Sequence, residues 1–159
     1  MSTSTVRDPS SRNRLEQALA RIADPSGEGA RACLTVYADT ARAAADAADA
    51  RAKAGKTIGP LDGAIVSIKD LYDVAGEVTR AGSRVLADEG RRATADAPVI
   101  KRLRDAGAVI IAKTNMSEFA FSGVGTNRNF GTPGNPFDRS RVPGGSTSGG
   151  AVAVADGMS

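Results

Sequence analysis

Pro143-Gly144-Gly145-Ser146-Thr147-Ser148-Gly149-Gly150 sets three hydroxyl side chains among four glycines, directly ahead of the apolar run Ala151–Ala155. A hydroxyl is a weak nucleophile and a weak proton relay unless a base lies beside it, and glycine lets a ligand or a second backbone approach closely. The usual base is missing. The chain contains no histidine, which excludes a Ser-His-Asp triad, a Cys-His dyad and most zinc sites within it. Lysine can take that role where burial favours the neutral amine. Lys69 ends the short apolar run Ala64-Ile65-Val66-Ser67-Ile68, a strand-end setting in which most lysines simply reach solvent. Cys33 is the only cysteine and can form no internal disulfide; Arg31-Ala32-Cys33-Leu34-Thr35-Val36-Tyr37 reads as a buried apolar turn in which the thiol packs and does not react.

Taken alone, the glycine-serine cluster could also be a phosphate cradle or a plain linker. It lacks the Gly-x-x-x-x-Gly-Lys-[Ser/Thr] pattern, and a Gly-x-Gly-x-x-Gly turn would be expected directly after a strand. The helical apolar run behind it speaks against a linker. Thr147 and Ser148 read as caps of that element, whose first backbone N–H groups would face whatever binds there.

The elements that must hold these residues follow from apolar spacing. Leu15, Leu19 and Ile22 mark one face of a helix that Asp24-Pro25-Ser26-Gly27 ends. An alanine-rich helix from about Val36 to Lys53 carries Asp and Arg on its outer face. The run ending at Lys69 and the run Ala108–Ala112 have the near-continuous apolar character of strands covered on both faces. Between them Val78–Ser83 reads as an irregular connection, and a helix with Asp96 as its cap and Pro98 in its first turn buries Val99, Ile100, Leu103 and Ala106 before Gly107 ends it. Strand, connection, helix and strand predict an α/β chain with a partly parallel sheet. From Ser122 to Gly145 the glycines, prolines and asparagines predict a long binding loop. Residues 1–10 are polar and read as a disordered tail, leaving 11–159 as part of a single domain.

A net charge of +3, from 21 Lys plus Arg against 18 Asp plus Glu, together with 4% aromatic residues, gives no footprint for nucleic acid. No apolar run approaches the roughly 20 residues of a membrane span, and the N-terminus lacks a signal-peptide core. The expectation is a cytoplasmic chain with neither a membrane nor a nucleic acid as direct partner.

Six spaced motifs then occur in one order. They are Gly63-Ala-Ile-Val-Ser-Ile-Lys69-Asp70, Ala81-Gly82-Ser83, Asp96-Ala97-Pro98-Val99, Gly107-Ala-Val-Ile-Ile-Ala-Lys113-Thr-Asn115-Met-Ser-Glu118-Phe119, Gly134-Asn135-Pro136 and Pro143-Gly-Gly-Ser146. In that order they resemble the amidase signature family, over roughly residues 10 to 159. The resemblance implies a partial amidase signature fold, a mixed sheet flanked by helices, and hydrolysis of a small-molecule carboxamide through a Ser-cisSer-Lys triad with no metal or organic cofactor. It makes Lys69 the general base and Ser146 the bridging serine after a cis peptide bond from Gly145. It places Ala120, Ser122 and Gly123 at the acyl pocket, with Ser148 bonding within the site. Lys113 and Glu118 could equally be a surface pair.

Two departures follow. The family's acylating serine and oxyanion donors would fall beyond Ser159, so this chain alone is expected to be inactive, and Arg80 is bulky where members often carry a small residue. The alternatives are a fragment of the glutamyl-tRNA amidotransferase A chain, or a non-catalytic binding module that keeps the fold. An unpaired sheet edge and uncovered apolar surface are expected to cause aggregation or a homo-oligomer.

Overall fold

The computed structural model describes residues 10–159. The disordered tail expected over residues 1–10 lies outside the described residues except for Ser10, whose hydroxyl accepts from the Asn13 amide and caps the first helix. That helix, α1 (Ser11–Ala23), buries Leu15, Ala18 and Ile22 and leaves Leu19 at the margin of the core. One helical turn, α2 (Gly29–Ala32), leads into β1 (Cys33–Val36), followed by α3 (Ala38–Lys53) and β2 (Ile65–Lys69). Then come α4 (Arg84–Glu89), α5 (Pro98–Asp105), β3 (Val109–Thr114), a 3-10 turn at Glu118–Ala120, and α6 (Ser148–Ala155).

The sheet is mixed and flanked by helices, with β3 central: β1 pairs with it antiparallel and β2 pairs with it parallel. All six residues of β3 are buried, whereas in β2 only Ile68 is. Cover on both faces therefore holds for β3 and fails for β2, because β2 is an outer strand. Val109 and Ile111 pack with α1, α3 and α6 in the main core, and Ile110 packs with Ile68 and Ile100 in the second. Alanines 41, 45 and 48 form the buried stripe of α3, small enough to bring α1 close. Between the two helices Glu16 accepts from Arg42 and Arg12, whose guanidinium groups hold its carboxyl down to about 2.

Two local expectations need correction. Cys33 opens strand β1 instead of lying in a turn, because it pairs with Thr114 far along the chain; burial pushes its thiol up to about 11. Asp96 does not cap α5, whose N-cap is Ala97. Its carboxylate instead accepts from the Ala75 amide at 2.9 Å and pairs with Arg104 at 2.9 Å. Val78–Ser83 is irregular as expected, apart from an isolated bridge between Val78 and Arg92, and α4, which follows it, has no fully buried residue and so no apolar stripe to reveal it. The long stretch from Ser122 to Gly145 has neither helix nor strand. Among the described residues no helix is long and apolar enough to cross a membrane.

Candidate active site

Lys69 ends β2, where parallel pairing sets it against Thr114. Its ammonium donates to Ser146 Oγ at 2.6 Å, and the Gly145–Ser146 peptide bond is cis. The side chain is half-buried, and loss of water around it lowers the amine below the ordinary lysine range. Beside the pair lies an open cleft of about 500 Å³, bounded by Ser67, Lys69 and Thr114 from the sheet and by Thr147, Gly150, Ala151 and Val154. A poised amine touching a hydroxyl at the edge of a cleft can move a proton between a bound reactant and the protein.

The turn that carries Ser146 is held on both sides. Ser117 N–H donates to Ser146 O at 3.0 Å, and Gly145 N–H donates to Gly123 O at 2.8 Å. A Cβ on Gly125 would fall 2.0 Å from Gly144 O, so only glycine lets these two segments touch. Gly123 is thus brought to the glycine turn, with Ser122 O beside Gly145; Ser117 Oγ donates to Ser122 O and Ser122 Oγ accepts from the Val124 amide, while Ala120 N–H donates to Ser117 O one step away from the turn. Ser148 is fully buried at the start of α6, and its hydroxyl has no hydrogen-bond partner among the described residues. The capping expectation is corrected here, since Thr147 occupies the N-cap without a side-chain bond. The Lys113–Glu118 surface pair is not formed either: Lys113 is fully buried with Glu77 at 3.6 Å, while Glu118 is exposed. Lys113 pairs with Ile68 in the sheet and so alternates away from Lys69.

Several polar residues that spacing did not single out build the surroundings. Asn115 donates to Arg31 O and Gly131 O and accepts from the Met116 amide, tying α2, the long loop and the end of β3 together. Asn127 donates to Gly82 O and Met116 O. Asp70, next to Lys69 and fully buried, accepts from Arg80 and from the Gly82 amide. Arg80 is accommodated: it also donates to Thr35 Oγ1 at 2.7 Å and lies 5.7 Å from the centre of the Phe130 ring. Ala81, Phe119 and Ala120 have positive φ, at about 1–3 kcal/mol each. Such a cost persists where surrounding contacts demand one geometry. The one signal available in sequence was the polar residue directly after each of the two parallel strands, Asp70 and Asn115, where a polar group shut away from water needs a partner.

A model of the Amidase family matches residues 14–159. The chain belongs to the amidase signature family. It is 49% identical over 149 residues to the glutamyl-tRNA(Gln) amidotransferase A chain of Anaeromyxobacter dehalogenans (strain 2CP-C), covering 94% of this chain and 30% of that protein. Among solved structures, native peptide amidase from Stenotrophomonas maltophilia superposes with a TM-score of 0.81 at 37% identity, over 95% of this chain and 32% of the amidase. A vestigial protein complex, described as revealing the origins of an s-triazine catabolic enzyme, contains a chain with a TM-score of 0.86 and 38% identity, over 94% of this chain and 32% of its own. The chain therefore spans about a third of the length of the amidase-family relatives it matches.

Proposed function

We propose that this chain supplies the lysine-serine proton relay of a carboxamide-cleaving acyl-transfer site, and that it is a segment of a protein of the glutamyl-tRNA amidotransferase A-chain type. The observation that carries the relay is the 2.6 Å contact between Lys69 Nζ and Ser146 Oγ, with an amine whose burial favours the neutral form. The amidotransferase assignment is supported by the 49% identity to the Anaeromyxobacter dehalogenans relative. A second reading, a free amidase, is supported by the likeness to the peptide amidase.

In the relay the neutral Lys69 amine accepts the proton of Ser146, and Ser146 accepts one from the attacking hydroxyl as that oxygen bonds to the carboxamide carbon. The attacking serine is one that the family resemblance places outside this chain. When the C–N bond breaks, the proton returns from the Lys69 ammonium through Ser146 to the departing nitrogen, leaving the acyl group on the attacking oxygen. The substrate is a primary carboxamide such as glutamine. In an amidotransferase the released nitrogen goes on to a second acceptor, so any contact with tRNA belongs to the whole assembly and not to a basic patch on this segment.

The test joins residues 14–159 to the remaining portion of the Anaeromyxobacter dehalogenans relative and measures ammonia release from glutamine and from a C-terminally amidated dipeptide. Positioned acid–base groups contribute about 10²–10⁴-fold, and Lys69→Ala and Ser146→Ala are each expected to remove that much. Turnover that survives Lys69→Ala overturns the relay. Preference for glutamine supports the amidotransferase reading, and preference for the amidated dipeptide supports the free amidase.

A further inference from the structure

The Lys69 amine and the Ser146 hydroxyl belong to segments 77 residues apart, and a closed ring of contacts joins them by another route. Asp70, the residue after Lys69, donates its amide to Thr114 O at 3.0 Å and accepts the Ala81 amide at its carbonyl at 2.9 Å. Its carboxylate accepts the Gly82 amide at 3.3 Å and Arg80 Nε at 3.3 Å. The 80–82 turn grips the next segment in its turn. Ala81 O accepts from Phe119 N–H, and the Asn127 amide bridges Gly82 O and Met116 O at 2.9 and 2.7 Å. From there Ser117 N–H reaches Ser146 O at 3.0 Å, and the Lys69–Ser146 contact closes the ring.

We propose that Asp70, held by Arg80, is a positioning residue that sets the Lys69 amine against the Ser146 hydroxyl through this ring. The inference rests on the relay described above. The Asp70 carboxylate is fully buried, and the charged groups around it are Arg80, which is 21% exposed, and Lys113 of β3, itself facing Glu77, to which Tyr37 donates. Burial raises the Asp70 carboxyl above its ordinary range in spite of Arg80, Lys113 and the Gly82 amide. A buried ion pair is weak evidence for net stability, and it is the ring of contacts from Asp70 through the 80–82 turn to Ser146 that gives this one a placement role. Arg80 adds reach: one side chain links Asp70 to Thr35 on β1 and to the Phe130 ring of the long loop.

The experiment labels the full chain with ¹³Cε-lysine, assigns Lys69 by its loss in Lys69→Arg, and follows its titration in the wild type, Asp70→Asn, Arg80→Ala and Arg80→Lys. With the ring intact Lys69 titrates below the free-lysine value of about 10.4. Asp70→Asn and Arg80→Ala are expected to move the midpoint up toward that value as the site loosens and admits water. Arg80→Lys, which keeps a cation beside Asp70, is expected to restore most of the depression. An unmoved midpoint in a folded Asp70→Asn or Arg80→Ala overturns the proposal. Loss of the fold in both does so too, since the pair would then be a stability element. A wild-type midpoint at the ordinary value sinks the relay itself, a result distinct from either.

Discussion

Gly149 and Gly150 are neighbours in the first turn of α6, yet the structure requires different outcomes when each becomes alanine. Alanine is worth about 1 kcal/mol over glycine in a helix, so both substitutions begin on the stabilising side. At Gly150 the new methyl would meet Thr147 Cγ2 at 2.8 Å and Thr114 Oγ1 at 3.4 Å, the first being the end of a side chain that can rotate away. The net change there is near zero. At Gly149 it would fall 2.3 Å from Ala32 O and 2.5 Å from Asn115 N, backbone atoms already joined by a 2.8 Å hydrogen bond. Neither can yield alone, so α6 must tilt off the sheet. Overpacking costs about 1–3 kcal/mol, and the tilt also breaks Gly149 N–H to Asn115 O at 2.9 Å, worth about 1 kcal/mol. Less the propensity gain, Gly149→Ala is destabilising by about 2 kcal/mol. Urea unfolding of the chain followed by circular dichroism, with a slope of about 2 kcal/mol per molar, should show the midpoint fall by about 1 M for Gly149→Ala and hardly move for Gly150→Ala. Equal midpoints for the two variants, or a Gly149→Ala midpoint above the wild type, would refute the close-approach argument.

Glu16, held down to about 2 by hydrogen bonds from Arg42 and Arg12, contributes stability that is complete above the ordinary glutamate range and lost as pH falls toward 2. Acid unfolding of Glu16→Gln should therefore show a shallower pH dependence between about 4.5 and 2 than the wild type. Lys69 gives the same sign of slope in a higher window: its value is lowered in the fold, so the unfolded chain binds more protons between the folded value and the free-lysine pKa of about 10.4, stability rises with pH across that window, and Lys69→Met should flatten the rise. Asn115→Ala removes the donors to Arg31 O and Gly131 O. At about 1–3 kcal/mol for each buried acceptor left unmet, it should lower the urea midpoint far more than Asn135→Ala, whose amide bonds Val142 O in an exposed loop.

The roles proposed for Lys69 and Ser146 come from the order of the six motifs and the family they resemble, since a lysine at a strand end and a serine in a glycine turn do not by themselves mark a site; the structure sets the two side chains 2.6 Å apart. The helices with apolar stripes were legible from residue type and spacing, and β3 announced itself by its apolar run, all six of its residues being buried. Strand β1 did not, because four residues are too few for a period and its pairing depends on β3, far along the chain. Likewise Lys113 reads as a surface charge from composition, and only the central position of its strand encloses it. The sequence marks Asp70 only as a polar residue after a strand and Arg80 only as a bulky one, and it names no partner for either, since what they do depends on a turn that folds back over the end of β2 and on loop residues such as Asn127 that tertiary packing alone brings near.

The protonation of Lys69 bears most directly on whether this segment carries a working base. Titrating its ¹³Cε resonance in the folded chain should give a midpoint below the ordinary lysine value of about 10.4, and Ser146→Ala should change the shape or position of that curve because the two groups touch. A Lys69 that titrates like a solvent-exposed lysine and is indifferent to Ser146→Ala would contradict the account.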